Sequence, residues 1–319
     1  MHGSFPTLQL ERGALRLEVV PGLGARVVSL QDRRTNREWL VQGHPPAGEE
    51  EQDAWAAEDA VFGGEQAYGW DECLPTVGSC ADPVDPTAPD LRDHGDQWGR
   101  AAEASSDGSA VVASWPAGRW GVQLHRRLRL DGGAVLADYV AVNPNARPVP
   151  FLWSSHALLA LEPGTRLHLP RLQSVRIAAA HGVALPGGTA SWPRAALRDG
   201  TNMSLDIVAG VDAGRSVKAF AVGLEGRAAV QTPTGAWLGI AWDPGFAPVL
   251  GVWLDDGGWP LGDPRQQVAL EPTTAAADAL TAVLTGGSAA TIPPRGEVRW
   301  WMRMEIGLEA RGLGAFLRG

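Results

Sequence analysis

Three residues stand where their type and surroundings could do proton chemistry. His94 lies in PDLRDHGDQWGR (residues 89–100), against Gly95 and between Asp93 and Asp96. His156 lies in FLWSSHALLAL, three residues past Trp153, within or just after an apolar strand. Glu271 lies in VALEPTTAAADAL, where a carboxylate closes an apolar strand and Pro272 restricts its backbone. Imidazole, with a reference pKa of about 6.5, gives and regains a proton near neutrality. A carboxylate can take one, and each positioned acid or base is typically worth ~10²–10⁴-fold. Taken singly, each has an ordinary alternative: a hydrogen-bonded core or loop histidine, or a solvated edge glutamate.

Other chemistry finds no footing. The sequence has no GxxxxGK[ST], HExxH or GxSxG motif, and no His, Cys and carboxylate set at metal spacing. GLGARV lacks the third glycine of a dinucleotide fingerprint and runs into VVSL, so it reads as a hairpin. The expectation is therefore no metal and no cofactor. Cys73 and Cys80, with six residues between them, fit neither a CxxC pair nor a zinc knuckle and read as free thiols of a reducing cytoplasm. A net charge of −9 argues against nucleic acid and anionic membranes as partners. No apolar run approaches the ~20 residues that span a bilayer, and the N-terminus shows no signal-peptide pattern.

The elements that must position these groups read as strands. ALRLEVV, ARVVSLQD and REWLV form a meander with polar turns, and a second series runs from SAVVASWPA to SVRIAAA. In VQLHRRLRL, Val122, Leu124, Leu128 and Leu130 keep even spacing and only Arg126 breaks it. In EVRWWMRMEIGL, Trp300, Met302, Met304 and Ile306 share one face, and Arg299, Trp301, Arg303 and Glu305 share the other. Residues 42–60, acidic and with two prolines, read as an exposed excursion, and 78–93 as a second long connection. TAAADALTAVLTG is the best helical candidate. The expectation is one all-β domain over residues 1–319, a large antiparallel sandwich of fifteen to twenty strands. Fourteen tryptophans are more than such a core needs, and flat rings suit the C–H faces of sugars.

Five stretches, in order, resemble the aldose 1-epimerase (galactose mutarotase-like) superfamily. They are VVPGLGARVVSLQDRRTNREWL, DECLPTV followed by DHG, FLWSSHALLAL, LEPTTAAADAL and IPPRGEVRWWMRMEIG. The resemblance implies an antiparallel β-supersandwich with a sugar cleft, and cofactor-independent interconversion of the α and β anomers of an aldose. It implies Glu271 as base, His156 as acid and His94 as a hydrogen-bonding partner of the ring oxygen. Trp70, Trp98 and Trp153 are the candidates for a stacking face, with Arg100 and Glu72 for hydroxyls or a substrate anion. The sequence departs from the family in having no arginine in GGEQAYGWDECLP and in setting the second histidine in SSHALL. A further substrate-binding aspartate falls on Asp206, Asp212 or Asp243. The partner implied is a monosaccharide or sugar derivative, and the protein a monomer or homodimer. A noncatalytic carbohydrate-binding or sensing protein is the second reading. A glycan hydrolase or lyase, pairing Glu72 or Asp71 with Glu271, is the third.

Overall fold

A computed structural model describes residues 1–287 and 289–319. Two antiparallel sheets of 11 and 8 strands dominate it. The larger runs, in spatial order, through Leu8–Arg12, Leu15–Val20, Arg26–Asp32, Trp70–Cys73, Ser154–Leu159, Gln266–Thr273, Val249–Asp256, Arg215–Val222, Ser174–His181 and Gly188–Ser191. Arg37–Glu38 pairs to its third strand. The smaller is centred on Trp237–Trp242, Glu297–Gly307, Ala134–Val142 and Gln123–Asp131. The described residues form twenty-three strands, more than the sequence suggests. The excess is short pieces such as Arg166–His168 and Asn202–Ser204, too brief for periodicity to show.

Alternation decides which side of each strand meets the core. Trp300, Met302, Met304 and Ile306 are buried, while Arg299, Trp301 and Arg303 point to solvent, so the closing strand is read correctly from its pattern. They pack with Leu17, Leu30, Leu238, Val252 and Leu270 in the main core cluster. Arg126 is buried too. Its guanidinium reaches Glu72 at 3.0 Å and the carbonyl of Ala25 in the interior, which explains the break in the pattern.

The opposite face of the 11-stranded sheet is covered by the connections. Residues 42–60 are not an open excursion: Glu49–Ala56 is a helix whose Trp55 is buried with Phe62, Tyr68 and Trp98. The Arg92 side chain ties this cover together, donating to the carbonyls of Ala57 (2.8 Å) and Trp98 (2.8 Å). The helix foreseen in TAAADALTAVLTG is realised as Leu280–Thr285. A second, Ala310–Arg318, has no clear signal because two glycines lower its propensity; Leu313 and Phe316 dock it on Trp237. Both cysteines are free and buried. No described helix is long and apolar enough to cross a membrane.

Candidate active site

The site is built on the covered face of the larger sheet. Ser154–Leu159 lies between Trp70–Cys73 and Gln266–Thr273. The register pairs Ser154 with Thr273 and Leu158 with Ala269, which sets His156 across from Glu271. On the next strand Gly251 stands opposite Glu271, and beyond it Trp253 opposite Lys218. Because side chains alternate, His156, Glu271, Trp253 and Lys218 emerge on one face. A register shift between Ile177 and Ala179 turns both Ala178 and Ala179 into the same wall.

Glu271 is 1% exposed, and its two oxygens have different surroundings. Oε2 accepts a hydrogen bond from Lys218 Nζ at 2.5 Å, while Oε1 is buried without a protein partner. A Cβ on Gly251 would stand 3.1 Å from Oε2, so glycine there makes room for the carboxylate. Lys218 is also 3.6 Å from Asp278 Oδ1. Burial alone would pull its ammonium down, but Glu271 and Asp278 outweigh that and hold it above the ordinary lysine value. Lys218 is the sole lysine of the chain; every other fixed side-chain cation is arginine. Sequence reasoning passed over it, although a single lysine inside an apolar strand was a visible signal.

His94 is brought in by a loop rather than a strand. Its φ is +57°, a left-handed conformation uncommon outside glycine. Its N–H donates to the Val77 carbonyl at 2.5 Å. Gly95, also left-handed at φ +80°, lies against the backbone of Leu74, where a Cβ would collide. The ring stacks on Phe62 at 4.3 Å and meets His156 edge-on at 5.0 Å. Nδ1 lies 3.1 Å from Asp93 Oδ2, which also accepts the Phe62 N–H at 2.8 Å. The contact pairs the groups by charge without hydrogen-bond geometry, and it sets Nδ1 on the carboxylate side of the ring, with Nε2 on the other. His156 has no such carboxylate beside it; its Nδ1, like that of His94, is buried without a hydrogen bond. Desolvation, then the neighbouring His94, Lys218 and Arg26, hold its pKa well below the ordinary histidine value. His156 is therefore a neutral imidazole at neutral pH.

The structure thus brings His94, His156 and Glu271 to one cavity of about 320 Å³, at the small end of the range for ligand pockets. Its apolar wall is Phe62, Val77, Leu158, Trp253 and Trp259, and Gln267 adds an amide. The aromatic surface is accordingly Trp253 and Trp259, whose rings meet edge-on at 6.2 Å. The other five expected contacts are corrected, because none lines this cavity. Trp70 and Trp153 belong to the core between the sheets, with indole N–H groups spent on Ser155 and Glu72. Trp98 is buried under the loops, its face on Arg92 and its N–H on the Asp93 carbonyl. Arg100 pairs with Glu58 at 2.7 Å and caps the covering helix through the Ala56 carbonyl. Glu72 points to the opposite side of its strand, where Arg126, Tyr139 and Trp153 all bond to it. Asp71 is held by Arg26, so neither carboxylate is free to join Glu271 as a hydrolase pair. Asp206, Asp212 and Asp243 also lie off the cavity lining.

Comparison with solved structures shows what this arrangement is similar to. The Slr1438 protein from Synechocystis sp. PCC 6803 superposes with a TM-score of 0.70 at 15% identity, over 97% of this chain and 98% of that one. A galactose mutarotase-like protein from Lactobacillus casei ATCC 334 gives 0.66 at 16% identity, over 95% and 100%. The GalM/aldose epimerase homologue from C. elegans gives 0.62 at 12% identity, over 96% and 100%. No protein-family model and no curated protein matches the sequence. The chain has the galactose mutarotase-like β-sandwich fold.

Proposed function

We propose that the cavity binds a monosaccharide or sugar derivative and interconverts its α and β anomers without a cofactor, as an isomerase of the aldose 1-epimerase type. The observation that carries this reading is the meeting of a carboxylate oxygen without a partner and two imidazoles in one tryptophan-walled cavity. Glu271 Oε1 takes the proton of the anomeric hydroxyl. The O–H electron pair becomes the second bond of the C1 carbonyl, the bond from C1 to the ring oxygen breaks, and that oxygen receives a proton from a histidine. Rotation about C1–C2 and reversal of the same steps close the ring on the other carbonyl face. No group is consumed, and the enzyme regains its protons.

The geometry supports exchanging the two histidine roles that the family resemblance implies. His94, oriented by Asp93 at 3.1 Å, is the better proton donor to the ring oxygen. His156, kept neutral by burial, offers an N–H hydrogen bond to the opening ring and does not supply the proton. Trp253 and Trp259 give the sugar's C–H face a flat surface. Two buried free thiols suit a cytoplasmic setting.

The test is polarimetry on freshly dissolved α anomers of a panel of aldoses. Rotation should approach equilibrium faster with enzyme than with buffer for at least one of them. The ion pair of Glu271 with Lys218 is the one feature that favours a noncatalytic sugar-binding protein. Unchanged rates on every sugar, with heat of binding still measurable, would establish that second reading.

A further inference from the structure

The lone lysine has a chemical reason to be a lysine. Arginine fills every other fixed cationic side-chain position in this sequence, including the buried partners of Asp71 and Glu72. At Glu271 alone the partner is an ammonium. A guanidinium presents a planar fork that engages both oxygens of a carboxylate, whereas an ammonium is a point charge that can hold one. Here it holds Oε2 at 2.5 Å, and Oε1 stays buried and unpartnered. We propose that Lys218 is a positioning residue for Glu271, fixing Oε2 so that Oε1 alone is presented to the anomeric hydroxyl. This inference rests on the function proposed above.

Lys218 lines the cavity beside Glu271, and a second carboxylate shares its charge. Asp278 Oδ1 lies 3.6 Å from the ammonium. Asp278 is itself anchored through its backbone, its carbonyl accepting the N–H groups of Val77 (2.9 Å) and Gly78 (2.7 Å) and the hydroxyl of Thr76 (3.2 Å). Arg176, on the adjoining strand, is engaged elsewhere: it donates to the Ala276 carbonyl and lies over Phe220 at 4.8 Å. With two carboxylates holding it protonated, Lys218 is no nucleophile toward the open-chain aldehyde, so the role is orientation rather than imine formation.

Two experiments test this. The first compares Lys218→Arg, Lys218→Met and Lys218→Ala in anomer exchange, the last with and without added methylammonium. Both Lys218→Arg and Lys218→Met should lose about 10²-fold in kcat with KM changed less than about threefold. Methylammonium should restore at least about tenfold to Lys218→Ala. Recovery of the wild-type rate in Lys218→Arg would reduce the residue to a source of charge and overturn the proposal, as would full activity in Lys218→Met. The second needs no turnover. Reductive methylation with ¹³C-formaldehyde labels only Lys218 and the N-terminus, so the lysine's titration can be followed by NMR in wild type and in Glu271→Gln. A fall in its pKa of at least about one unit in Glu271→Gln is expected. An unchanged titration would show that the two groups are not coupled, whatever the protein does to sugars.

Discussion

Gly251→Ala is a small perturbation with a result that the structure fixes closely. The backbone there is not left-handed, so alanine is conformationally allowed and only its methyl group matters. That methyl would stand 3.1 Å from Glu271 Oε2, 3.3 Å from its Cβ and 3.5 Å from its Cδ. The carboxylate must then give way by a few tenths of an ångström. It cannot do so freely, because Lys218 Nζ holds the same oxygen at 2.5 Å. Since a 1 Å misplacement of a reacting group costs on the order of 10²-fold, this shift is worth roughly threefold to tenfold in kcat. Overpacking of this kind also costs about 1–3 kcal/mol of stability. Anomer exchange rates at saturating sugar give the first number and urea unfolding gives the second. Added to Glu271→Gln, the same alanine should change the residual rate by less than about twofold, because the group it displaces no longer acts. A Gly251→Ala enzyme with wild-type kcat, or one slowed equally in both backgrounds, would refute the placement of Glu271 as base.

Other perturbations separate the remaining parts. His94→Gln should cost ~10²–10⁴-fold in kcat, and His156→Gln no more than about tenfold, measured by the same exchange assay. Asp278→Asn removes a partly exposed carboxylate from the cavity lining. Calorimetric titration should show it gaining about tenfold in affinity for glucose 6-phosphate relative to glucose. The last concerns stability. Burial lifts Glu72 up to about 7, against the pull of Arg126, Tyr139 and Trp153. Between about 4.5 and about 7 the folded protein holds a proton that the unfolded chain has lost, so stability falls as pH rises through that window, by about 3 kcal/mol. Urea midpoints across pH should show this slope, and Glu72→Gln should flatten it.

What could be read from the sequence depended on whether one strand or several were needed to see it. The closing strand declares its faces because eight consecutive residues, 299–306, alternate between the buried and the outward side. Glu271, His156 and His94 stood out for the same local reasons: a proline after a carboxylate, a histidine in an apolar run, and a histidine against a glycine. The aromatic surface did not. Trp70 opens one strand and Trp153 directly precedes another, beside the right residues, but both turn into the core, where Ser155 and Glu72 satisfy their N–H groups. Trp253 and Lys218 reach the cavity through cross-strand register, Gly251 against Glu271 and Lys218 against Trp253, which no single segment displays. Glu72 misled for a physical reason. A glutamate in a short strand suggests a ligand contact, and its buried partner, Arg126, lies 54 residues away.

The most direct measurement is two-dimensional exchange NMR between the α and β anomeric protons of an aldose at equilibrium, with wild-type protein and with Glu271→Gln side by side. Cross-peaks that build up in seconds with wild type and weaken by ~10²–10⁴-fold in Glu271→Gln are the predicted result. Cross-peaks no stronger with wild type than in buffer, or equally strong in the variant, would contradict the assignment of this cavity to anomer interconversion by Glu271.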